Sequence, residues 1–109
     1  MEGNEFVHSE IFTFASKIDY ADGGVVSKPT VQRPAGSVTL FAFDQGQELS
    51  EHSAPYDALV QLVEGEGEII IGDKTNLLKA GEAIIMPAGV PHAVKAPKQF
   101  KMLLTMIRG

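Results

Sequence analysis

Apolar residues in this chain occur in short runs that are separated by turn-forming residues. The runs at 38–43 and 59–63 are rich in Val, Leu, Phe and Thr, which are residue types that favour strands. Eleven glycines and six prolines interrupt the pattern and leave little room for a helix of ordinary length. Several short strands at near-regular spacing predict an all-β sandwich or barrel.

The clearest local prediction is a β-hairpin. The apolar-rich segments 68–71 and 75–78 flank the sequence Gly72-Asp73-Lys74. A glycine followed by an aspartate supplies the positive φ angle that a tight hairpin turn requires.

The C-terminal stretch fits two kinds of structure. Its apolar residues alternate as in a strand, but several of them equally fit one face of a helix. These residues are Phe100, Met102, Leu104 and Met106 for the strand, and Phe100, Leu103, Leu104 and Ile107 for the helix. The all-β context favours the strand.

The strands at 38–43 and 59–63 are nearly continuous in apolar residues, which indicates that both of their faces are covered. One face is expected to line the barrel interior. A partner subunit would cover the other face, so we expect a homodimer.

Size, charge and composition limit the class of protein. A chain of 109 residues forms one domain, 1–109, and the N-terminal strands within 5–35 are expected to be peripheral. A net charge of −5 with scattered basic residues argues against nucleic acid as a partner. The absence of cysteine excludes disulfides, thiolate metal sites and a catalytic thiol.

The N-terminal residues and the hydropathy of the chain predict where the protein is found. Residues 1–10 include three acids, unlike the basic opening of a secretory signal. No apolar run approaches the roughly 18 residues of a membrane span. We expect a cytoplasmic protein with no membrane partner.

Two segments carry the candidate chemistry. The first, 46–65, contains Gly46, His52 and Gly65, and the second, 81–96, contains Gly81, Pro87, Gly89 and His92. Their spacing resembles the paired motifs of the cupin superfamily. That resemblance implies an all-β jelly-roll (cupin) β-barrel of two antiparallel sheets.

In the superfamily these motifs supply three histidines and a glutamate that hold a divalent metal ion. Here alanine stands at Ala54, Ala58 and Ala96, where the family pattern has a histidine, a glutamate and an asparagine. The resemblance therefore implies an incomplete site formed by His52 and His92, for which Fe, Ni, Zn or Mn is the candidate cofactor.

Further ligands for a metal are sought among nearby side chains. Strict alternation along a strand points Glu51, Asp57 and Gln61 away from the cup. His8 is the only other histidine, and an N-terminal strand could bring it across the barrel mouth.

The function that we expect is the binding of a small organic ligand in an apolar pocket that contains histidine. The candidate ligand-binding residues are His52, Tyr56, Met86, His92 and Met102. A metal-dependent oxygenase, isomerase or decarboxylase is one alternative. A metal-free acid–base enzyme that acts on a sugar or keto acid, and that uses Tyr56 with His52 and Asp57, is another. The sequence leaves open whether the protein is an enzyme, and it does not identify the ligand.

Overall fold

The structure, a computed structural model, describes residues 6–108. Over that range the chain forms a short 3₁₀ turn, Phe14–Ser16, and eight strands. In chain order the strands are β1 (Val25–Arg33), β2 (Gly36–Phe43), β3 (Glu48–His52), β4 (Ala58–Ile71), β5 (Lys74–Lys79), β6 (Ala83–Met86), β7 (His92–Lys95) and β8 (Phe100–Ile107). No helix in this part of the chain is long and apolar enough to cross a bilayer.

All strand pairs are antiparallel, and the long strand β4 joins two curled sheets. In the first sheet β1 pairs with β2, β2 with β8, and β8 with the first half of β4, which also pairs with β6. In the second sheet the last part of β4 pairs with β5 and β7, and β7 pairs with β3. This is the all-β jelly-roll architecture that the sequence predicts, which confirms the fold class.

The predicted local elements agree with the structure. The hairpin is formed by β4 and β5, where Ile71 pairs with Lys74 across Gly72 and Asp73. Gly72 has a φ of 62°, the positive value that the turn needs. The C-terminal stretch is strand β8, because it fills the position between β2 and β4 where backbone hydrogen bonds are available on both sides.

The inner faces of the two sheets pack into the main core. Alternate residues of β4 and β8 point inward, as the buried positions Ala58, Val60 and Leu62 show. The core residues are Phe43, Ala58, Val60, Leu62, Ile69, Leu78, Met86, Val94, Ala96, Phe100 and Met102. They form one buried cluster, and six partly exposed residues pack against it: Phe41, Leu49, Ile71, Ile84, Leu104 and Met106.

A second, smaller core lies on the outer face of the first sheet. There Leu40, Ala42 and Leu103 pack against Ile18 and Phe14 of the N-terminal segment 6–24, which we call the strap. The chain's own strap thus covers the outer face of β2 over Leu40 and Ala42, so a partner subunit is not needed there. The homodimer stays a prediction. Between residues 6 and 24 the described chain contains only the 3₁₀ turn, so β1 is the one strand found in the described part of 5–35.

The strap is held to the sheet by a polar cluster. Lys101, only 7% exposed, donates a hydrogen bond to the Ala15 carbonyl at 2.7 Å and lies 3.5 Å from the Glu64 carboxylate. The Tyr20 hydroxyl donates to the same carboxylate at 2.5 Å. Burial and the neighbouring Glu64 carboxylate both raise the pKa of Tyr20, so its hydroxyl keeps its proton and remains a donor.

Candidate functional site

The structure brings His52 and His92 together on neighbouring strands. They are directly opposite each other in the pairing of β3 with β7, so both side chains lie on the same face of the sheet. Their Nε2 atoms are 3.2 Å apart, and their ring centroids are 4.4 Å apart at an interplanar angle of 72°. Two histidines that are 40 residues apart in sequence thus form one hydrogen-bonded pair.

Two loops fix the end of the sheet where this pair lies. Gly89 has a φ of 77°, and its N–H donates to the Ala54 carbonyl at 2.8 Å. The N–H of Ala88 donates to the Asp57 carboxylate at 2.8 Å. These bonds join the loop after β3 to the loop before β7, and so they fix the register in which the two histidines face each other.

The hydrogen bonds assign the tautomers of the neutral pair. Nδ1 of His52 lies 2.9 Å from the Ser50 carbonyl, which can only accept, so Nδ1 carries the proton. Nε2 of His52 then has a lone pair and accepts the Nε2–H of His92. Nδ1 of His92 is buried and makes no hydrogen bond of good geometry within the described residues; the Val90 backbone carbonyl is the acceptor group beside the His92 ring.

Burial makes the two rings different. His92 is 4% exposed, whereas His52 is exposed at the rim. Burial and the neighbouring His52 lower the pKa of His92, whereas the Val90 carbonyl, an acceptor that favours the protonated ring, raises it. The net shift is downward. His92 is therefore neutral at pH 7. The pair presents one protected imidazole and one that solvent or a ligand can reach.

The surroundings of the pair within the barrel are apolar. Ile71 is directly opposite His92 on β4, and Leu49 precedes His52 on β3 with its side chain against the core. Both residues are partly exposed, so they offer apolar surface beside the polar rings. Met86 and Met102 belong to the buried core of the barrel and are only 2% and 1% exposed.

The structure places Tyr56 away from this pair. It lines a groove of about 450 Å³ on the outer face of the first sheet, together with Pro55, Asp57, Leu59, Ile85, Ala88, Thr105 and Ile107. Leu59 and Ile107 alternate with the inward-facing residues Ala58 and Met106, so this outer groove and the barrel interior are on opposite sides of the sheet. The hypothesis that Tyr56, His52 and Asp57 form an acid–base group has no support in this arrangement.

The donor atoms at the pair are too few for the metal site of the superfamily. Catalytic metal sites of this kind have about three protein ligands, and here alanine occupies positions 54 and 58. In the described part of the chain no group of three or more His, Asp and Glu side chains is placed to hold a metal ion.

The other candidate ligands do not join the histidines. Glu51 and Gln61 are exposed, as alternation predicts. His8 is exposed on the strap, whose neighbouring residues Phe6 and Phe14 pack on the outer face of the first sheet. The idea that an N-terminal strand carries His8 across the barrel mouth is therefore wrong.

Two features of the site were missed in the sequence. The Ser50 carbonyl fixes the tautomer of His52, but a backbone acceptor leaves no signal in residue type. The outer groove does leave a signal in the sequence. Its lining residues Leu59, Ile85 and Ile107 are apolar at outward positions of strands whose inward positions are also apolar.

Comparisons with known proteins agree with the architecture. The family model described as cupin domain matches residues 39–108. A conserved protein of unknown function from Streptococcus pyogenes is 35% identical with a TM-score of 0.91, and the match covers 97% of this chain and 93% of that one. A search of curated proteins finds no match.

Two further solved structures are similar. A cupin 2 conserved barrel domain protein from Leptotrichia buccalis is 39% identical with a TM-score of 0.83, and the match covers 86% of this chain but 46% of that one. A cupin superfamily protein from Desulfitobacterium hafniense is 26% identical with a TM-score of 0.90, covering 96% of each chain.

Proposed function

Since this chain belongs to the cupin domain family, we propose that its barrel binds a small organic molecule at the pair formed by His52 and His92. The observation that carries this proposal is the 3.2 Å contact between the two Nε2 atoms, with one ring exposed and the other buried. Such a pair offers hydrogen-bonding groups that keep a fixed orientation, at the edge of an otherwise apolar barrel.

The partly exposed inner side chains give the ligand its apolar contacts. Leu49 and Ile71 lie beside the histidines, and Leu104 and Met106 extend the apolar surface along β8. Methionine adapts to apolar groups of varied shape. Both nitrogens of His52 are hydrogen-bonded, one to the Ser50 carbonyl and one to His92, so a polar group of the ligand must replace one of these two partners. We expect a ligand with an apolar body and one polar group that does so at the exposed His52 ring.

A resident metal ion is not part of the proposal. Two imidazoles supply fewer donors than catalytic sites use, so any retention of Fe, Ni, Zn or Mn should be weak. No reaction is proposed, because the residues of the acid–base alternative are not assembled at the pair. A cytoplasmic location belongs to the proposal, since a chain without cysteine needs no oxidising compartment.

The test combines ligand screening with metal analysis. A library of small carboxylic acids, phenols and sugars is screened by NMR on isotope-labelled protein, and metals are measured by mass spectrometry. We expect hits that shift the signals of His52, Leu49 and Ile71, and about tenfold or greater weakening in His52→Ala, which removes a hydrogen-bonding group. Tyr56→Phe is the matched control, because Tyr56 lies on the other side of the sheet.

Two results would contradict the proposal. One is a set of hits that shifts only residues of the outer groove. The other is stoichiometric iron, nickel or zinc that disappears in His52→Ala, which would favour the metal-dependent enzyme.

A further inference from the structure

We propose that the molecule bound at the histidine pair carries a hydroxyl group, as an alcohol or a phenol, whose oxygen inserts between the Nε2 atoms of His52 and His92. The hydroxyl class holds only if the pair is the binding site, so it rests on the proposed function. The choice of a hydroxyl follows from the direction of the hydrogen bond between the two rings.

The hydrogen bond within the neutral pair runs from His92 to His52. The two Nε2 atoms are 3.2 Å apart, and two nitrogen lone pairs would repel each other at that distance, so one proton lies between them. The Ser50 carbonyl holds the proton of His52 on Nδ1. The proton between the rings therefore belongs to His92, which makes His92 the donor and His52 the acceptor.

Separation of the rings would expose one donor and one acceptor that face each other. A hydroxyl oxygen satisfies both, because it can accept from the Nε2–H of His92 and donate its own proton to Nε2 of His52. With two bonds of ordinary length the nitrogens would be about 4.5–5 Å apart. Since they are 3.2 Å apart in the unligated pair, the rings need to separate by about 1.5 Å.

The two rings differ in their freedom to make this opening. His92 is 4% exposed and held within the barrel, whereas His52 is exposed at the rim. His52 can pivot about its bond to the Ser50 carbonyl and so keep its tautomer. Insertion therefore leaves both nitrogens of the former hydrogen bond with a partner, and it keeps the bond to Ser50.

Charged groups and ethers match the opened pair less well. A carboxylate or an ether oxygen only accepts, so it would bond to His92 but place a lone pair against the lone pair of His52. An ammonium group only donates, and it would face the N–H of His92. The inward positions of β7 and β8 beyond the pair offer no charge to hold such groups, since they are Val94, Phe100, Met102, Leu104 and Met106.

A lysine in the same row of paired residues supports one competing arrangement. Lys74 pairs with Ile71, which pairs on its other side with His92. Directly paired residues point to the same face of a sheet, so Lys74 begins on the face of the histidines, two strand spacings or about 10 Å from His92. Lys74 is exposed, and a carboxylate held by it at the barrel mouth is the arrangement that the test must distinguish.

Two matched series of ligands test the choice of a hydroxyl at about pH 8, above the ordinary imidazole pKa of about 6.5. One series is phenol, anisole and benzoate, and the other is cyclohexanol, methoxycyclohexane and cyclohexanecarboxylate. Affinities are measured by NMR titration of isotope-labelled protein. We expect the hydroxyl member to bind about tenfold or more tightly than its ether and its carboxylate, because these leave the His52 acceptor unpaired. The series whose hydroxyl member binds more tightly tells a phenol from an alcohol.

Three variants show whether the preference comes from the pair. His52→Ala removes the acceptor at an exposed position, so the preference for the hydroxyl over the ether should fall to about twofold or less. Tyr56→Phe, on the other side of the sheet, and Lys74→Gln should both keep the full preference.

Nitrogen NMR of labelled histidine measures the tautomers directly. In the unligated protein at about pH 8 we expect His52 to be protonated at Nδ1 and His92 at Nε2, and phenol or cyclohexanol should leave both tautomers unchanged. The Val90 carbonyl beside the His92 ring is the competing acceptor. Protonation of His92 at Nδ1 would remove the donor that the hydroxyl needs.

Four outcomes would overturn the hydroxyl class and leave the proposed function standing. They are hydroxyl and ether members that bind equally well at the pair, a carboxylate that binds more tightly and is lost in Lys74→Gln, library hits at the pair that lack a hydroxyl group, and a His92 ring protonated at Nδ1. Ligands of every class that shift only the outer groove would instead contradict the proposed function itself.

Discussion

Gly67 lies directly against the ring of Phe100: a Cβ atom added to Gly67 would lie 2.8 Å from the ring carbons Cε1 and Cζ. The ring cannot move aside, because Phe100 is fully buried and stacks on Phe43 with centroids 4.6 Å apart and 5° between the planes. Strand β4 passes from one sheet to the other at this position, so the contact sets how closely the sheets approach.

The first prediction follows from this contact. Gly67→Ala should destabilise the protein by about 1–3 kcal/mol, because an overpacked core must shift a ring that has no free space. Urea denaturation followed by circular dichroism measures the change. Gly24→Ala is the control, since its added Cβ would meet Ala21 at an ordinary 3.6 Å; equal losses in both variants would contradict the explanation.

The second prediction concerns the attachment of the strap. Lys101→Ala removes the charged donor that binds the Ala15 carbonyl, and so it should cost about 1.5–3 kcal/mol. Hydrogen exchange should accelerate most in residues 13–20 and much less in β4 and β5. Lys95→Ala, at an exposed lysine, should leave both measurements unchanged; uniform acceleration along the chain would show that Lys101 does not act through the strap.

The third prediction is a dependence of stability on pH. The pKa of His92 is lowered in the folded protein relative to its ordinary value of 6.5, so below that value the unfolded state binds more protons. The free energy of unfolding should therefore fall as the pH drops from about 6.5 towards the lowered pKa of His92. Below that pKa, the contribution of His92 to the free energy of unfolding should no longer change with pH.

Urea titrations between pH 5 and 7.5, above the range where most carboxylates titrate (about 4), measure this slope. His92→Gln keeps a polar side chain that does not titrate, and it should flatten the curve in this window. An unchanged slope in His92→Gln would assign the effect to other groups.

The fourth prediction restores the missing metal ligands. Ala54→His with Ala58→Glu adds an imidazole and a carboxylate at the positions that the superfamily uses. Ala58 faces the interior and is 1% exposed, so its replacement should point towards the pair of histidines. We expect the double variant to retain Ni, Zn or Fe close to stoichiometrically through dialysis, whereas the natural chain should not.

Mass spectrometry of the dialysed proteins measures the metal content. Leu77→His with Thr75→Glu adds the same chemical groups at two exposed positions of β5 and serves as the control. If the first double variant binds no more metal than the control, the side chains at positions 52, 54, 58 and 92 do not converge.

The positions of the backbone turns were predictable in detail from the sequence. The four motif glycines, Gly46, Gly65, Gly81 and Gly89, all have positive φ angles between 77° and 92°. At Gly65 a side chain is excluded on two grounds, since an added Cβ would lie 2.3 Å from the Gln99 carbonyl oxygen. Residue type was informative there because only glycine adopts that backbone conformation at little cost.

The sequence by itself determined the strands and the turns, because alternation along a strand and the conformational limits of glycine are local properties. The expectation that His52 and His92 meet came from the resemblance of the two motifs to the superfamily. The tertiary structure alone decided that the strap covers the outer face over Leu40. It also decided that Tyr56 lines the outer groove, on the other side of the sheet from the two histidines. It also decided which nitrogen of His52 carries the proton. These features depend on contacts between segments far apart in sequence, and apolar residues of similar type can satisfy such contacts in more than one arrangement.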